Sequence, residues 1–124
     1  MKVLVVDDSR AMRTLLRTIL AKAGHEVVAA GNGQEALEIL AEDKEVQVAL
    51  VDWNMPVMDG ITFVETIRRQ GHHADLQIVM VTTEVEMSQV ERALSVGADD
   101  YLMKPFEEAE LVSRIQNLTG DVDG

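Results

Sequence analysis

Five short apolar runs alternate with five segments of helical period, and that alternation leaves few architectures open. The runs are Val3–Val6, Glu26–Ala30, Val46–Val51, Gln77–Val81 and Tyr101–Met103, mostly rich in β-branched residues. Between them, apolar residues recur at helical spacing. Met12, Leu15, Leu16, Ile19, Leu20 and Ala23 mark one face of a helix that starts at Ser9 and stops at Gly24. Ala36, Leu37, Leu40 and Ala41 mark a second helix, and Ile61, Val64 and Ile67 a third, ended by Gly71. Met87, Val90, Ala93 and Leu94 mark a fourth, ended by Gly97; Phe106, Ala109, Val112, Ile115 and Leu118 mark the last. Strand then helix, five times over, predicts an α/β fold with a parallel sheet covered by helices on both faces. The first, third and fourth runs are almost continuously apolar, as doubly covered strands are. The fifth is short and mixed, which suits a sheet edge.

At 124 residues the chain is read as one domain over 1–119 with a frayed tail at 120–124. It contains no cysteine, which excludes disulfide frameworks, thiol nucleophiles and zinc ribbons. The start, MKVLVVDDSR, is too short in apolar residues for a signal peptide or a membrane span. A cytoplasmic protein without membrane insertion is expected. The net charge of −11 favours solubility, argues against direct nucleic-acid binding and suits a cation better than an anionic ligand.

Open parallel sheets bind ligands beyond the carboxyl ends of their strands. Asp7 and Asp8 follow the first run, Asp52 ends the third, Thr82 and Thr83 follow the fourth, and Lys104 with Pro105 follows the fifth. Each has an ordinary explanation. Asp7 and Asp8 could complement a helix dipole, Ser9 could be an N-cap, and Thr82 or Thr83 could cap the fourth helix. Lys104 could be a surface lysine. Their joint placement at one end of one sheet is what points to chemistry. Clustered carboxylates raise each other's pKa, and a hard divalent cation relieves them. Mg²⁺ needs only one or two carboxylates and readily takes phosphate oxygens, so the group reads as a phosphoryl-transfer site in which a carboxylate could be the nucleophile.

Four segments in order, VLVVDDS, VDWNMPVMDG, IVMVTTE and GADDYLMKPF, make the chain resemble the receiver domains of bacterial response regulators over essentially its whole length. Within the family it is most similar to single-domain chemotaxis regulators. The resemblance implies a flavodoxin-like (βα)5 three-layer sandwich with strand order 2-1-3-4-5. It implies that Asp52 accepts a phosphoryl group from a histidine kinase or phosphotransfer domain. Asp7, Asp8 and Asp52, with the backbone carbonyl of Asn54, would hold Mg²⁺. Lys104 would contact the phosphoryl group and precede a cis peptide at Lys104–Pro105. Thr82 and Tyr101 match the switch positions, Thr83 a position that lines the site, and Asn54 and Glu84 the positions that tune phosphoryl lifetime. Switching would reshape the face of the fourth helix, fifth strand and fifth helix for an output protein such as a flagellar motor switch component. A monomer is expected, with that face available for dimerisation. Such a domain is not an enzyme; it assists only its own phosphorylation and dephosphorylation.

Pro56 is expected to stiffen the loop after Asp52, Gly60 to allow the turn into the third helix, and Asp59 to cap it. Arg10, Arg13 and Arg17 form either a solvated helix face or a docking surface for the phosphodonor. His25, His72 and His73 have no ligand spacing with the acids. A phosphorelay shuttle, or a receiver from a longer regulator, is the alternative role; the absence of a second domain after the fifth helix favours a free-standing protein. A haloacid dehalogenase-type phosphatase would need a second acid where Asn54 stands, and a flavodoxin-like electron carrier would find its FMN phosphate repelled by Asp7 and Asp8.

Overall fold

The computed structural model describes residues 1–53, 55, 57–83 and 87–119. Asn54, Pro56, Glu84 and the 120–124 tail lie outside the described residues. The element order is β1 (Lys2–Val6), α1 (Arg10–Lys22), β2 (Glu26–Ala30), α2 (Gly33–Glu42), β3 (Val46–Asp52), α3 (Gly60–Gln70), β4 (Gln77–Thr82), α4 (Met87–Val96), β5 (Asp100–Met103) and α5 (Glu108–Thr119). All strands run parallel in the order β2-β1-β3-β4-β5. Among the described residues no helix is long and apolar enough to cross a membrane.

Strand alternation divides the core into two layers. Leu4, Val6, Ala49, Val51, Ile78 and Met80 face α2, α3 and α4, where they meet Ala36, Leu40, Phe63, Val64 and Ala93. Val3, Val5, Val48, Leu50, Val79, Val81 and Leu102 face α1 and α5, where they meet Leu16, Ile19, Leu20, Leu111 and Ile115. The edge strand β5 is the shortest, as its mixed sequence implied. The helices start and stop on local chemistry. The Ser9 hydroxyl accepts from the Met12 amide at 3.2 Å, Asn32 caps α2 and Asp59 caps α3 through the Thr62 amide at 2.8 Å. Gly71 ends α3 in the left-handed region.

The apolar stripes read from sequence hold in part. Leu15 and Leu94 are exposed, as are Ala23, Ala41 and Ala109, while the fully buried Phe63 and Leu111 fall outside the predicted stripes. Each helix lies on one face of the sheet, so residues at the margins of a stripe divide between core and solvent according to how the helix is rotated. Thr82 is the last residue of β4, and the described part of α4 begins at Met87.

A single arginine ties the far end of α3 to the segments entering β4 and β5. Arg68 donates to the carbonyls of Gly97, His73 and Leu76 at 2.9–3.0 Å and to the Asp99 carboxylate at 2.9 Å. The same Asp99 oxygen accepts from the Ile78 amide. Gly97, at φ +125°, leaves room for this side chain: a Cβ there would lie only 2.5 Å from Arg68 Cγ. Arg68→Ala strands three carbonyls and one carboxylate, and is expected to lower unfolding free energy by about 2–3 kcal/mol in urea titrations. Arg68→Lys, which lacks the planar fork, should recover only part of that loss.

Candidate functional site

The strand order reverses between β1 and β3, and Asp7, Asp8 and Asp52 stand at that point. Asp52 continues the alternation of Leu50, Asp7 that of Val5, and Lys104 that of Leu102, all on the α1/α5 side. The parity of two buried strands and the edge strand β5 therefore aims one ammonium and two carboxylates at the same space. Lys104 Nζ lies 3.2 Å from Asp7 Oδ2 and 3.5 Å from Asp52 Oδ1. One oxygen from each of Asp7, Asp8 and Asp52 lies within 4.8 Å of the others. The Lys104–Pro105 peptide is cis, as the resemblance implied.

Asp7 is held at every polar atom. Its amide donates to Ala30 O at 3.1 Å, extending the β1–β2 ladder past the strand end. Its Oδ1 accepts from the Ser9 amide at 2.8 Å and its Oδ2 from Lys104. Its carbonyl accepts from Arg13 Nη1 at 2.7 Å. It is 2% exposed, whereas Asp8 is exposed and Asp52 half-buried, so the cluster opens to solvent through Asp8. Burial pushes the Asp52 carboxyl above the usual carboxylate range. The Lys104 ammonium opposes that shift, and the neighbouring Asp7 adds to it.

Gly60 packs α3 onto this strand end. Its amide donates to Trp53 O at 2.9 Å, and a Cβ on it would collide with Asp52 O. Close approach, rather than a turn conformation, is what requires glycine here. Thr82 is buried at the end of β4, and its carbonyl accepts from the Lys104 amide at 2.8 Å. Tyr101 is half-buried against the α2/α3/α4 core layer, beside Met80 in register, so alternation puts it diagonally from Thr82 on one face. Thr83 is exposed just beyond.

The three proposed arginines do not act alike. Arg10 and Arg17 are exposed, whereas Arg13 is half-buried on the Asp7 carbonyl, which sequence reasoning did not anticipate. The signal was available: Arg13 sits between Met12 and the buried Leu16, at the margin of the core stripe rather than on its far side. His72 and His73 lie across the fold from the acids, beside Lys44 and Leu118 at the other end of the sheet, and burial lowers the pKa of His73.

The donor set is all hard oxygen, two of the three carboxylates are at least partly open to water, and an ammonium stands beside them. That set fits a hard divalent cation with room for water. The sequence matches the response regulator receiver domain family over residues 3–116. The chain belongs to that family. It is the receiver domain of a two-component response regulator. A chemotaxis protein CheY homolog of Campylobacter jejuni is 38% identical over 100% of this chain and 96% of the relative. The chemotaxis protein CheY1 of Helicobacter pylori is 37% identical over 99% of this chain and 100% of the relative. The solved structure of Vibrio cholerae chemotaxis protein CheY4 superposes with a TM-score of 0.89 at 38% identity, covering 94% of this chain and 97% of that one.

In the metal-free receiver the ionised Asp52 works against folding. A carboxyl whose folded pKa is raised gives most stability when protonated and loses it as pH rises through the folded value. Asp52→Asn removes that charge in a near-isosteric side chain. It is expected to raise the urea midpoint at neutral pH without added cation, and to abolish any pH dependence specific to Asp52.

Proposed function

We propose that this receiver takes a phosphoryl group from a histidine kinase or phosphotransfer domain onto Asp52 and passes the signal on by a change of surface. The observation that carries this is the convergence of Asp7, Asp8, Asp52 and Lys104 at the switch point of the sheet. A carboxylate oxygen of Asp52 attacks phosphorus as the P–N bond of a phosphohistidine breaks, and the leaving imidazole nitrogen takes a proton. The product is an acyl phosphate on Asp52. Lys104, 3.5 Å from Asp52, would bind a phosphoryl oxygen, and its charge favours the ionised Asp52 against burial. Asp7, Asp8 and Asp52 would hold Mg²⁺, with the carbonyl of Asn54 as a further donor. When bound there, the ion supplies neutralisation of phosphoryl charge.

The switch rests on Thr82 and Tyr101. The Thr82 hydroxyl is proposed to hydrogen-bond the new phosphoryl group, and the diagonal Tyr101 to follow by turning further inward. The face of α4, β5 and α5 would then present a different surface to an output protein. The names of the relatives from Campylobacter jejuni and Helicobacter pylori favour a chemotaxis output, such as a flagellar motor switch component, in the cytoplasm. Asn54 and Glu84 are assigned to phosphoryl lifetime, to be read from the decay of phosphorylated Asn54→Ala and Glu84→Ala proteins; unchanged decay in both removes that assignment.

Trp53, the single tryptophan, adjoins the proposed phosphoacceptor and reports on it directly. Its fluorescence is expected to change with Mg²⁺ and again when acetyl phosphate is added, with the second response absent in Asp52→Asn. At a Mg²⁺ concentration about 100-fold above Kd, the parent should gain about 2.7 kcal/mol in unfolding free energy. A Mg²⁺ response with no second response in the parent would rule out phosphoryl transfer to this receiver from that donor.

A further inference from the structure

We infer that Arg13 is a positioning residue for the acidic pair, holding the peptide between Asp7 and Asp8 in the orientation that cation binding needs; this rests on the site reading above. The Asp7 carbonyl belongs to that peptide. Arg13 Nη1 donates to it at 2.7 Å, across six residues of sequence and from the first turn of α1. The rest of Asp7 is already fixed by Ala30, Ser9 and Lys104. Among the described residues Asp8 has no comparable hydrogen bond or ion pair: it is exposed, it follows the strand end, and the direction of its side chain depends on the peptide before it. Arg13 is thus the group through which α1 governs where Asp8 points.

The position of Arg13 supports a role in geometry. Its backbone amide donates to Ser9 O at 3.0 Å, so the residue is anchored in the helix whose cap, Ser9, also donates its amide to Asp7 Oδ1. One short segment, Asp7 to Arg13, is closed on itself by these three hydrogen bonds and by that of the Met12 amide to the Ser9 hydroxyl. Gly31, at the end of β2, borders the guanidinium: a Cβ there would lie 3.6 Å from Arg13 Nη1. The side chain therefore runs between two loops at the carboxyl end of the sheet, where a guanidinium gains rigidity that a flexible ammonium does not.

Charge and geometry predict opposite signs for its removal. Deleting the cation held on the Asp7 carbonyl, next to the acidic pair, strengthens attraction for Mg²⁺ if charge alone matters. Loosening the Asp7–Asp8 peptide weakens it, and losses of groups that orient metal ligands run to about 10–100-fold in affinity. Mg²⁺ titrations followed by Trp53 fluorescence, without phosphodonor, are to be run on the parent, Arg13→Met and Arg13→Lys, with urea unfolding of each metal-free protein. Arg13→Met is expected to bind Mg²⁺ about tenfold or more weakly than the parent, with Arg13→Lys between them. Unchanged or tighter binding in Arg13→Met overturns the inference while leaving the site reading intact. Should Arg13→Met fail to fold, Arg13→Lys decides: a weakened affinity at parental urea midpoint supports positioning, and parental affinity overturns it. No Mg²⁺ response in the parent overturns the site reading, and this inference with it.

Discussion

Carboxylates brought together at the end of a sheet repel one another, and the architecture holds them there against that repulsion. Asp7 and Asp52 leave the ends of β1 and β3, which are buried on both faces and paired in register from Val3↔Val48 to Val6↔Val51. Neither strand can slide without moving a whole layer of Val and Leu side chains, because packed cores resist small displacements. The electrostatic strain is therefore kept at the site instead of being relaxed by the backbone. Burial and Asp7 push the Asp52 carboxyl upward, and Lys104 is the charge within the protein that offsets them. A hard cation would complete the neutralisation, which makes ion binding and phosphoryl transfer consequences of one arrangement.

The surroundings of the cluster are built to the same end. Lys104 reaches it from the edge strand, its amide fixed to Thr82 O, so the lysine and the proposed switch residue share one backbone contact. Gly60 lets α3 close down on Asp52 O, and the Asp59 cap sets where that helix begins. Arg13 and Ser9 do for the β1 exit what Gly60 does for the β3 exit. At the opposite side of α3, Arg68 and Asp99 bind the segments leading into β4 and β5 into one unit.

The sequence made the strands and helices legible because β-branched runs and helical spacing are local signals. The end residues followed from them: an apolar run that stops on Asp52 places a carboxylate at a strand end whatever surrounds it. The strand order and the residue roles came from resemblance to the family, since pairing order has no local signature here. Arg68 stayed hidden because its partners are up to 31 residues away and its neighbour Arg69 looks equivalent in sequence. Arg13 was grouped with Arg10 and Arg17 because a charge stripe ignores helix rotation by a fraction of a turn. The same blindness assigned Leu15 and Leu94 to the core and passed over Phe63 and Leu111.

Asp52, rather than either neighbouring acid, is proposed to form the covalent bond. Mass spectrometry tests it most directly: the protein is treated with acetyl phosphate and Mg²⁺, its acyl phosphate is reduced with borohydride, and the modified residue is located by peptide fragmentation. On that proposal, modification is expected at Asp52 in the parent and nowhere in Asp52→Asn. Modification at Asp7 or Asp8 in the parent, or no covalent adduct despite Mg²⁺ binding, would contradict it.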